Sequence, residues 1–148
     1  MAAAALTQGE EGMERIADLL AIERLNADFA HELDRGTPEG FAQLFSEAAL
    51  YTHGPRIMQG RAAIRRFAED RLAAGPRTSR HVISGLRIDF EAEGARGIST
   101  CTTFSAAGAA PIASTIPSIV ADFADVYVRD GERWLFAERH IHPQFKQG

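Results

Sequence analysis

The first third of the chain is patterned for helices. Apolar side chains recur at helical spacing within residues 10–35, and the stripe they form is interrupted once, by Asn26. The segment starts acidic and Gly36 follows its end, as the helix dipole and C-cap chemistry favour. The stripe consists of Leu19, Ile22, Phe29 and Leu33. A long first helix is therefore predicted, preceded by a disordered lead over residues 1–9.

Two shorter helices are predicted next. Thr37 followed by Pro38 is typical of an N-cap with proline in the first turn, and predicts a second helix through Phe45. The segment GRAAIRRFAEDRLAAG predicts a third helix, which Gly75-Pro76 ends. The arginines of RRFAEDR are interpreted as a solvated face of that helix. Between the two helices, ALYTH predicts a short strand.

After Arg77 the pattern changes to that of strands. Asp130-Gly131, between the last two strand segments, is a strong hairpin signal. The strand segments are HVISGLRIDFEAE, ARGISTCTTFSA, IVADFADVYVRD and ERWLFAERHIH. Helices gathered before antiparallel strands indicate an α+β fold, with a single domain over residues 10–148. A curved sheet wrapped around the helices would leave a cavity between them.

Both faces of the later strands carry apolar residues. Val126 and Val128 have one parity, whereas Phe123 and Tyr127 have the other. Because a sheet that is apolar on both faces needs a second cover, a homo-oligomer is predicted. A dimer is preferred, with a trimer as the alternative.

The overall composition excludes several classes of function. The net charge is -4, so the basic surface that nucleic acid requires is missing. No apolar run approaches the ~20 residues of a membrane helix. The single cysteine, Cys101, cannot form an internal disulfide, and a cytoplasmic location is the simplest interpretation. The expected partner is a small-molecule ligand, with neither nucleic acid nor membrane involved.

Two polar rings on the short strand are candidates for a site. Tyr51 and His53 are two positions apart and therefore point to the same face. They either form an exposed polar surface or line a cavity wall with two hydrogen-bonding groups.

Asp34 and His81 are a second candidate pair. Asp34 lies at the end of the first predicted helix, where an aspartate is either an ordinary turn residue or a group that orients a histidine. A carboxylate that accepts the Nδ1–H bond of an imidazole raises the basicity of the other ring nitrogen. His81, in RTSRHVISG, would be the partner, unless it is simply a surface ring.

The parity of the strand argues against an inward His81 unless the strand is irregular. Val82 shares its parity with the apolar residues that follow, namely Leu86, Ile88 and Phe90. A regular strand would therefore turn His81 away from them. A bulge at Ser84-Gly85 would shift the phase and turn His81 inward.

His140 and His142 near the end of the chain form an HxH pattern. They share strand parity with Trp134 and Phe136. Because HxH without a clear third ligand is a weak metal signal, the pair is interpreted as terminal histidines at a sheet edge. No metal site is predicted.

Several segments together resemble a known family. The segments, in order, are ELDRGTPEGFAQLFSEAALYTHG, MQGRAAIRRF, RTSRHVISGLRIDF and VYVRDGERWLFAERH. The chain resembles, from about Met13 to Pro143, the SnoaL-like branch of the nuclear transport factor two-like superfamily. The resemblance implies a cone-shaped, cystatin-like roll in which a curved antiparallel sheet wraps around N-terminal helices.

Some enzymes of this family use an Asp–His dyad without a cofactor, among them scytalone dehydratase, bile acid 7α-dehydratase and hexachlorocyclohexane dehydrochlorinase. By resemblance, Asp34 and His81 match the dyad, and Tyr51 or His53 would polarise an oxygen or assist a leaving group. The dehydrochlorinase pocket arginine would correspond to Arg129, while the lysine near Phe29 is absent.

Two functions of different classes follow from the resemblance. The first is a cofactor-independent lyase or isomerase that removes a proton from a small, largely apolar cyclic or polyketide-like substrate. The alternative is a non-catalytic ligand-binding protein, or a structural β-type subunit of a ring-hydroxylating oxygenase.

Overall fold

Three helices and six strands form the described part of the chain. The computed structural model describes residues 2–113 and 116–148, with side chains from Thr7 onward. The elements are α1 (Ala2–Arg35), α2 (Pro38–Ala42), β1 (Phe45–His53), β2 (Arg56–Gln59), α3 (Arg61–Ala73), β3 (Arg77–Glu91), β4 (Gly94–Ala107), β5 (Ile119–Asp130) and β6 (Arg133–Lys146). The predicted α+β class is confirmed, with helices before most of a curved, open sheet.

Helix α1 begins earlier than the sequence predicted. It is helical from Ala2, whereas a disordered lead had been expected over residues 1–9; Met1 lies outside the described residues. Residues 7–17 are all exposed, so burial of side chains contributes little to this part of the helix. The alanine run at the start supplies the highest intrinsic helix propensity, which favours helix without tertiary contacts.

The second helix and the following strand also differ in length from the prediction. Thr37 caps α2, since its side chain accepts a hydrogen bond from the Gly40 backbone N–H. The helix ends at Ala42 instead of continuing to Phe45, which opens β1. Phe45 is fully buried and pairs with Phe136 of β6, so sheet pairing overrides the helical pattern here.

The six strands are ordered β2-β1-β6-β5-β4-β3. Neighbouring strands are antiparallel, except that β1 and β6 run parallel, so the sheet is mixed at that one junction. The predicted hairpin joins β5 to β6 at Asp130-Gly131, where Gly131 adopts a φ of 64° that favours glycine. Helix α1 packs against β3 and β6, and α3 packs against β1 and β2.

An aromatic cluster closes one part of the space between helices and sheet. The ring of Phe29 lies 5.3–6.3 Å, centroid to centroid, from five other aromatic rings. These rings belong to Phe41, Phe45, Tyr51, Phe123 and Phe136. Such offset and edge-on contacts add about 0.5–1.5 kcal/mol per pair beyond burial. The cluster therefore fixes α1 on the sheet and positions the residues at its end.

The predicted bulge in β3 is present. Ser84 pairs with Thr100 and Arg87 pairs with Ile98, so β3 has one extra residue between them. Gly85 takes a φ of 65°, a left-handed conformation that costs glycine little. As a result, both Ile83 before the bulge and the apolar residues after it pack on the core. Val82 has the opposite orientation and is 51% exposed.

A second bulge, in β6, changes which residues share a face. Glu138 pairs with Val126 and Phe136 with Tyr127, which leaves Ala137 as an extra residue. Phe136 and Arg139 are therefore both fully buried, although they differ in parity. The sequence-based placement of His140 and His142 on the face of Phe136 is wrong, because the bulge moves them to the opposite face.

A buried polar cluster explains why Asn26 interrupts the apolar stripe of α1. Arg139 donates to both carboxylate oxygens of Asp125 at 2.8 Å, and also to Asn26 Oδ1. Asn26 Nδ2 donates to the Tyr127 hydroxyl at 3.0 Å, and that hydroxyl donates to Asp125. Burial alone would lower the pKa of Arg139, but the Asp125 charge outweighs it and raises that pKa.

Candidate active site

Asp34 and His81 are in direct contact. The last turn of α1 carries Asp34, whose Oδ1 lies 2.6 Å from His81 Nδ1. Asp34 Oδ2 accepts a second hydrogen bond, at 2.8 Å, from the backbone N–H of His81. This N–H is available because β3 is the outermost strand of the sheet. Bonding to both the ring and the backbone of one residue fixes the position and the direction of the imidazole.

Ser79 completes the surroundings of the carboxylate. Its hydroxyl donates to Asp34 Oδ1 at 2.8 Å, and the Asp34 side chain is only 3% exposed. Burial by itself would raise the pKa of Asp34. The hydrogen bonds from the His81 ring and backbone, together with that from Ser79, outweigh burial and lower the pKa of Asp34. The carboxylate is therefore ionised at neutral pH.

The other ring nitrogen of His81 is available to a ligand. Within residues 2–113 and 116–148, Nε2 has no hydrogen-bond partner, and His81 lines a cavity of about 230 Å³. The cavity is bounded mainly by apolar side chains of α1, α3 and the sheet. If Nδ1–H donates to Asp34, the lone pair of the ring is on Nε2.

Tyr51 and His53 line the same cavity as His81. Tyr51 is 1% exposed, and burial raises the pKa of its phenol well above the ordinary value. Burial, then the charge of Arg56, lowers the pKa of His53. Both groups are therefore neutral near pH 7, the phenol as a potential hydrogen-bond donor and the imidazole as either donor or acceptor.

Sequence reasoning missed two arginines that line the cavity. Arg71 of α3 donates to the Ser79 hydroxyl at 3.1 Å, although the arginines of its segment were interpreted as solvated. Arg77, the first residue of β3, donates to Ser105 Oγ at 2.7 Å. The alternation of side chains along a strand could have predicted the position of Arg77. Arg77, Ser79 and His81 alternate in RTSRHV and therefore share a face.

The structure excludes Arg129 as the pocket arginine that the resemblance suggested. Arg129 is half-exposed and donates to Asp18 Oδ1 at 3.0 Å, beside the ring of Trp134. Neither Asp18 nor Trp134 lines the cavity that contains His81. The fully buried arginine of the sheet is instead Arg139, in the cluster with Asp125.

The C-terminal histidines are away from the cavity. His140 Nδ1 contacts Thr52 Oγ1, and its Nε2 contacts Glu138 Oε2, each at 2.9 Å. The His142 ring stacks on that of His140, with 6.4 Å between centroids. No group of three or more His, Cys, Asp or Glu side chains suited to hold a metal occurs among the described residues. Cys101 is buried, which raises the pKa of its thiol.

The fold and the site together define a class of small α+β proteins, in which helices and a curved sheet border a cavity lined by a histidine that an aspartate holds. The sequence model of the SnoaL-like domain matches residues 14–140. The chain therefore belongs to the SnoaL-like family, within the nuclear transport factor two-like superfamily.

Solved structures share this fold at low sequence identity. A scytalone dehydratase-like protein from Novosphingobium aromaticivorans is 22% identical, with a TM-score of 0.77 over 88% of this chain and 87% of that one. A type 2 hexachlorocyclohexane dehydrochlorinase is 19% identical, with a TM-score of 0.76 over 90% of each chain. A protein from Catenulispora acidiphila in complex with S-DNPA is 24% identical, with a TM-score of 0.75 over 86% and 94%. At these identities the likeness establishes the fold.

A search of curated protein sequences finds no match to this chain. Within the described residues, no helix combines the length and apolar character needed to cross a membrane.

Proposed function

We propose that this protein is a cofactor-independent lyase or isomerase whose general base is His81. The proposal rests on the geometry of the His81 imidazole ring. Asp34 Oδ1 lies 2.6 Å from Nδ1, while Nε2 has no hydrogen-bond partner among the described residues and His81 lines a mostly apolar cavity. A positioned base of this kind supplies typically ~10²–10⁴-fold of rate enhancement.

The chemistry follows from the groups that surround the cavity. Nε2 of His81 would take a proton from a carbon next to a carbonyl or similar activating group, and the electron pair would move onto the carbonyl oxygen. The neutral Tyr51 phenol, or His53, would hydrogen-bond to that oxygen or to a leaving group. Loss of a β-substituent then completes an elimination, whereas return of the proton to another carbon completes an isomerisation.

The substrate would be small and largely apolar. A cavity of about 230 Å³ is below the ~300–1,000 Å³ common for drug-sized ligands, which suits a cyclic or polyketide-like compound of modest size. The neighbours agree with this class, since two bear the names of a dehydratase-like protein and a dehydrochlorinase, and a third is in complex with a small molecule.

Proton abstraction can be tested without the natural substrate. The probes are cyclohexanone, 2-cyclohexenone and 3-hydroxycyclohexanone in deuterated buffer, with exchange and dehydration followed by NMR. We expect catalysed exchange or elimination that falls by at least ~10²-fold in His81→Asn. The matched control, His142→Asn, replaces an exposed histidine outside the cavity and should retain full activity.

Two results would contradict the proposal. Equal rates in the wild type and in His81→Asn would show that His81 is not the base. Saturable binding of the probes in the cavity without any exchange would instead favour the non-catalytic ligand-binding alternative.

A further inference from the structure

Arg71 and Arg77 lie where two spaces meet. Both line the 230 Å³ cavity that contains His81, and both also line an outer groove of about 570 Å³ between α1, α3 and the start of β3. Leu33 is the other residue common to the two spaces. A ligand that enters the inner cavity from this groove passes these two guanidinium groups.

Neither arginine is neutralised by a carboxylate. Within residues 2–113 and 116–148 their hydrogen bonds go to hydroxyl groups, from Arg71 to Ser79 and from Arg77 to Ser105. Other arginines of the described chain do form carboxylate ion pairs within 4 Å. These are Arg24, Arg61, Arg65, Arg96, Arg129 and Arg139. Arg71 and Arg77 therefore place two guanidinium groups side by side in the lining of both spaces, with no carboxylate within ion-pair distance of either among the described residues.

The two carboxylates of the outer groove are engaged elsewhere. Asp34 accepts bonds from His81 and Ser79, and Glu32 accepts the Thr37 backbone N–H at 3.0 Å. Burial, and then the charge of Arg77, lowers the pKa of Arg71, and the smaller opposing effects of Tyr51 and Asp34 do not offset them. A partly buried charge without a partner is costly unless a ligand supplies the opposite charge.

We infer that Arg71 and Arg77 form an anion-binding subsite, and that the ligand of this cavity is a small ring compound bearing a carboxylate. This deepens the proposed function, since it names a substrate class for the same cavity. Guanidinium groups bind carboxylates with paired, charge-assisted hydrogen bonds. With the carboxylate at the mouth, the ring of the ligand lies inside the cavity, toward His81 and Tyr51.

A substrate carboxylate bound by Arg71 and Arg77 would help to position the rest of the substrate. Binding energy from a part of the substrate that does not react can hold the reacting carbon near the base. The two serines that now accept from the arginines can remain bonded to them, because each guanidinium has five N–H donors.

The inference can be tested by binding alone. The probes are benzoate, phenylacetate and 3-phenylpropionate, each compared with its neutral amide. Titration calorimetry measures Kd, and the NMR shifts of the His81 ring protons report whether the probe occupies the cavity. In the wild type we expect at least one carboxylate to bind roughly tenfold or more tightly than its amide, because hydrogen bonds between charged groups are stronger than those to a neutral amide.

Substitutions identify the groups responsible. Arg71→Gln with Arg77→Gln should abolish the preference for carboxylate over amide, while amide binding stays unchanged. Arg66→Gln, an exposed arginine on the same helix, is the control and should retain the preference. Should the glutamine pair fold poorly, Arg71→Lys with Arg77→Lys keeps the charges. It should then keep a weakened preference that 0.5 M salt reduces further.

Three results would overturn the inference: equal affinity of carboxylate and amide, a preference that survives in the glutamine pair, or no carboxylate binding at tens of millimolar. The test of the anion-binding subsite and the test of the proposed function can succeed or fail independently. Because the assay needs no turnover, the carboxylate preference can persist even if His81→Asn leaves proton exchange unchanged. Conversely, exchange that depends on His81 can persist without any carboxylate preference.

Discussion

Asp34 holds His81 at two points, by its ring Nδ1 at 2.6 Å and by its backbone N–H at 2.8 Å, across 47 positions of sequence. The two bonds use both carboxylate oxygens, so the aspartate cannot rotate without losing one of them. The helix end and the edge strand are thereby joined through the same group that orients the ring.

Replacing Asp34 by asparagine should impair catalysis more than folding. The amide is nearly isosteric but carries no charge, and it can present its NH₂ to the ring and favour the wrong tautomer. We expect the rate of proton exchange to fall by about 10²-fold or more, with an unchanged far-ultraviolet circular dichroism spectrum. Wild-type exchange rates in Asp34→Asn would show that the carboxylate is unnecessary.

Because the pKa of Asp34 is lowered in the folded protein, we expect part of the folding stability to be lost at acid pH. An unfolded aspartate has a pKa of about 3.9, whereas the folded carboxylate stays ionised to lower pH. The interaction therefore stabilises the folded protein above that value, and this stabilisation is lost as pH falls through the lowered folded pKa. Urea unfolding of wild type and Asp34→Asn should give free energies that converge between about pH 5 and about pH 2. A constant difference across this range would contradict the assignment.

Gly85 should be required for the bulge that turns His81 inward. A Cβ at this position would meet nothing within 4 Å, so the cost of Gly85→Ala comes from its φ of 65° alone. We expect a loss of about 1–2 kcal/mol in the free energy of unfolding. Gly12→Ala is the matched control, since it lies in α1 with open space around it and should be neutral or stabilising. Equal effects of the two substitutions would contradict a special role for Gly85.

Removing Asp125 should be strongly destabilising. It would leave the fully buried Arg139 charge without its carboxylate partner, which typically costs about 3–5 kcal/mol. Asp122→Ala, on the same strand but exposed, should change the free energy of unfolding by less than about 0.5 kcal/mol. Chemical denaturation of both variants measures the difference. A small effect at Asp125 would mean that the cluster relaxes or admits water.

The outer face of the sheet should mediate self-association. Val82 and Ile98 lie on this face and are 51% and 53% exposed, and Val126 and Val128 elsewhere on the same face are half-buried. We predict a homo-oligomer, preferably a dimer, with an interface well above ~1,000 Å². Light scattering should give more than the monomer mass, and Val82→Glu with Ile98→Glu should dissociate the assembly. A monomer mass for the wild type across micromolar concentrations would refute this prediction.

Sequence patterns within single segments predicted several local features of the structure. The alternation broken at Gly85 predicted the bulge, and Asp130-Gly131 predicted the hairpin, because both depend on backbone geometry over a few residues. The same alternation places Arg77, Ser79 and His81 on one face. Asp34 was a candidate partner from its position at a helix end, supported by the family resemblance.

Tertiary structure decided which of these groups meet. Arg71 turns toward the cavity rather than solvent because α3 packs on β1 and β2, which its own helical pattern does not reveal. Arg139 reaches Asn26 across 113 positions, and the parallel pairing of β1 with β6 joins segments from both ends of the chain. Local sequence sets the conformation of most segments through backbone sterics and the period of their side chains, whereas at Phe45 pairing with β6 overrides the local helical pattern. Contacts between distant segments depend instead on how their surfaces pack, which periodicity does not encode.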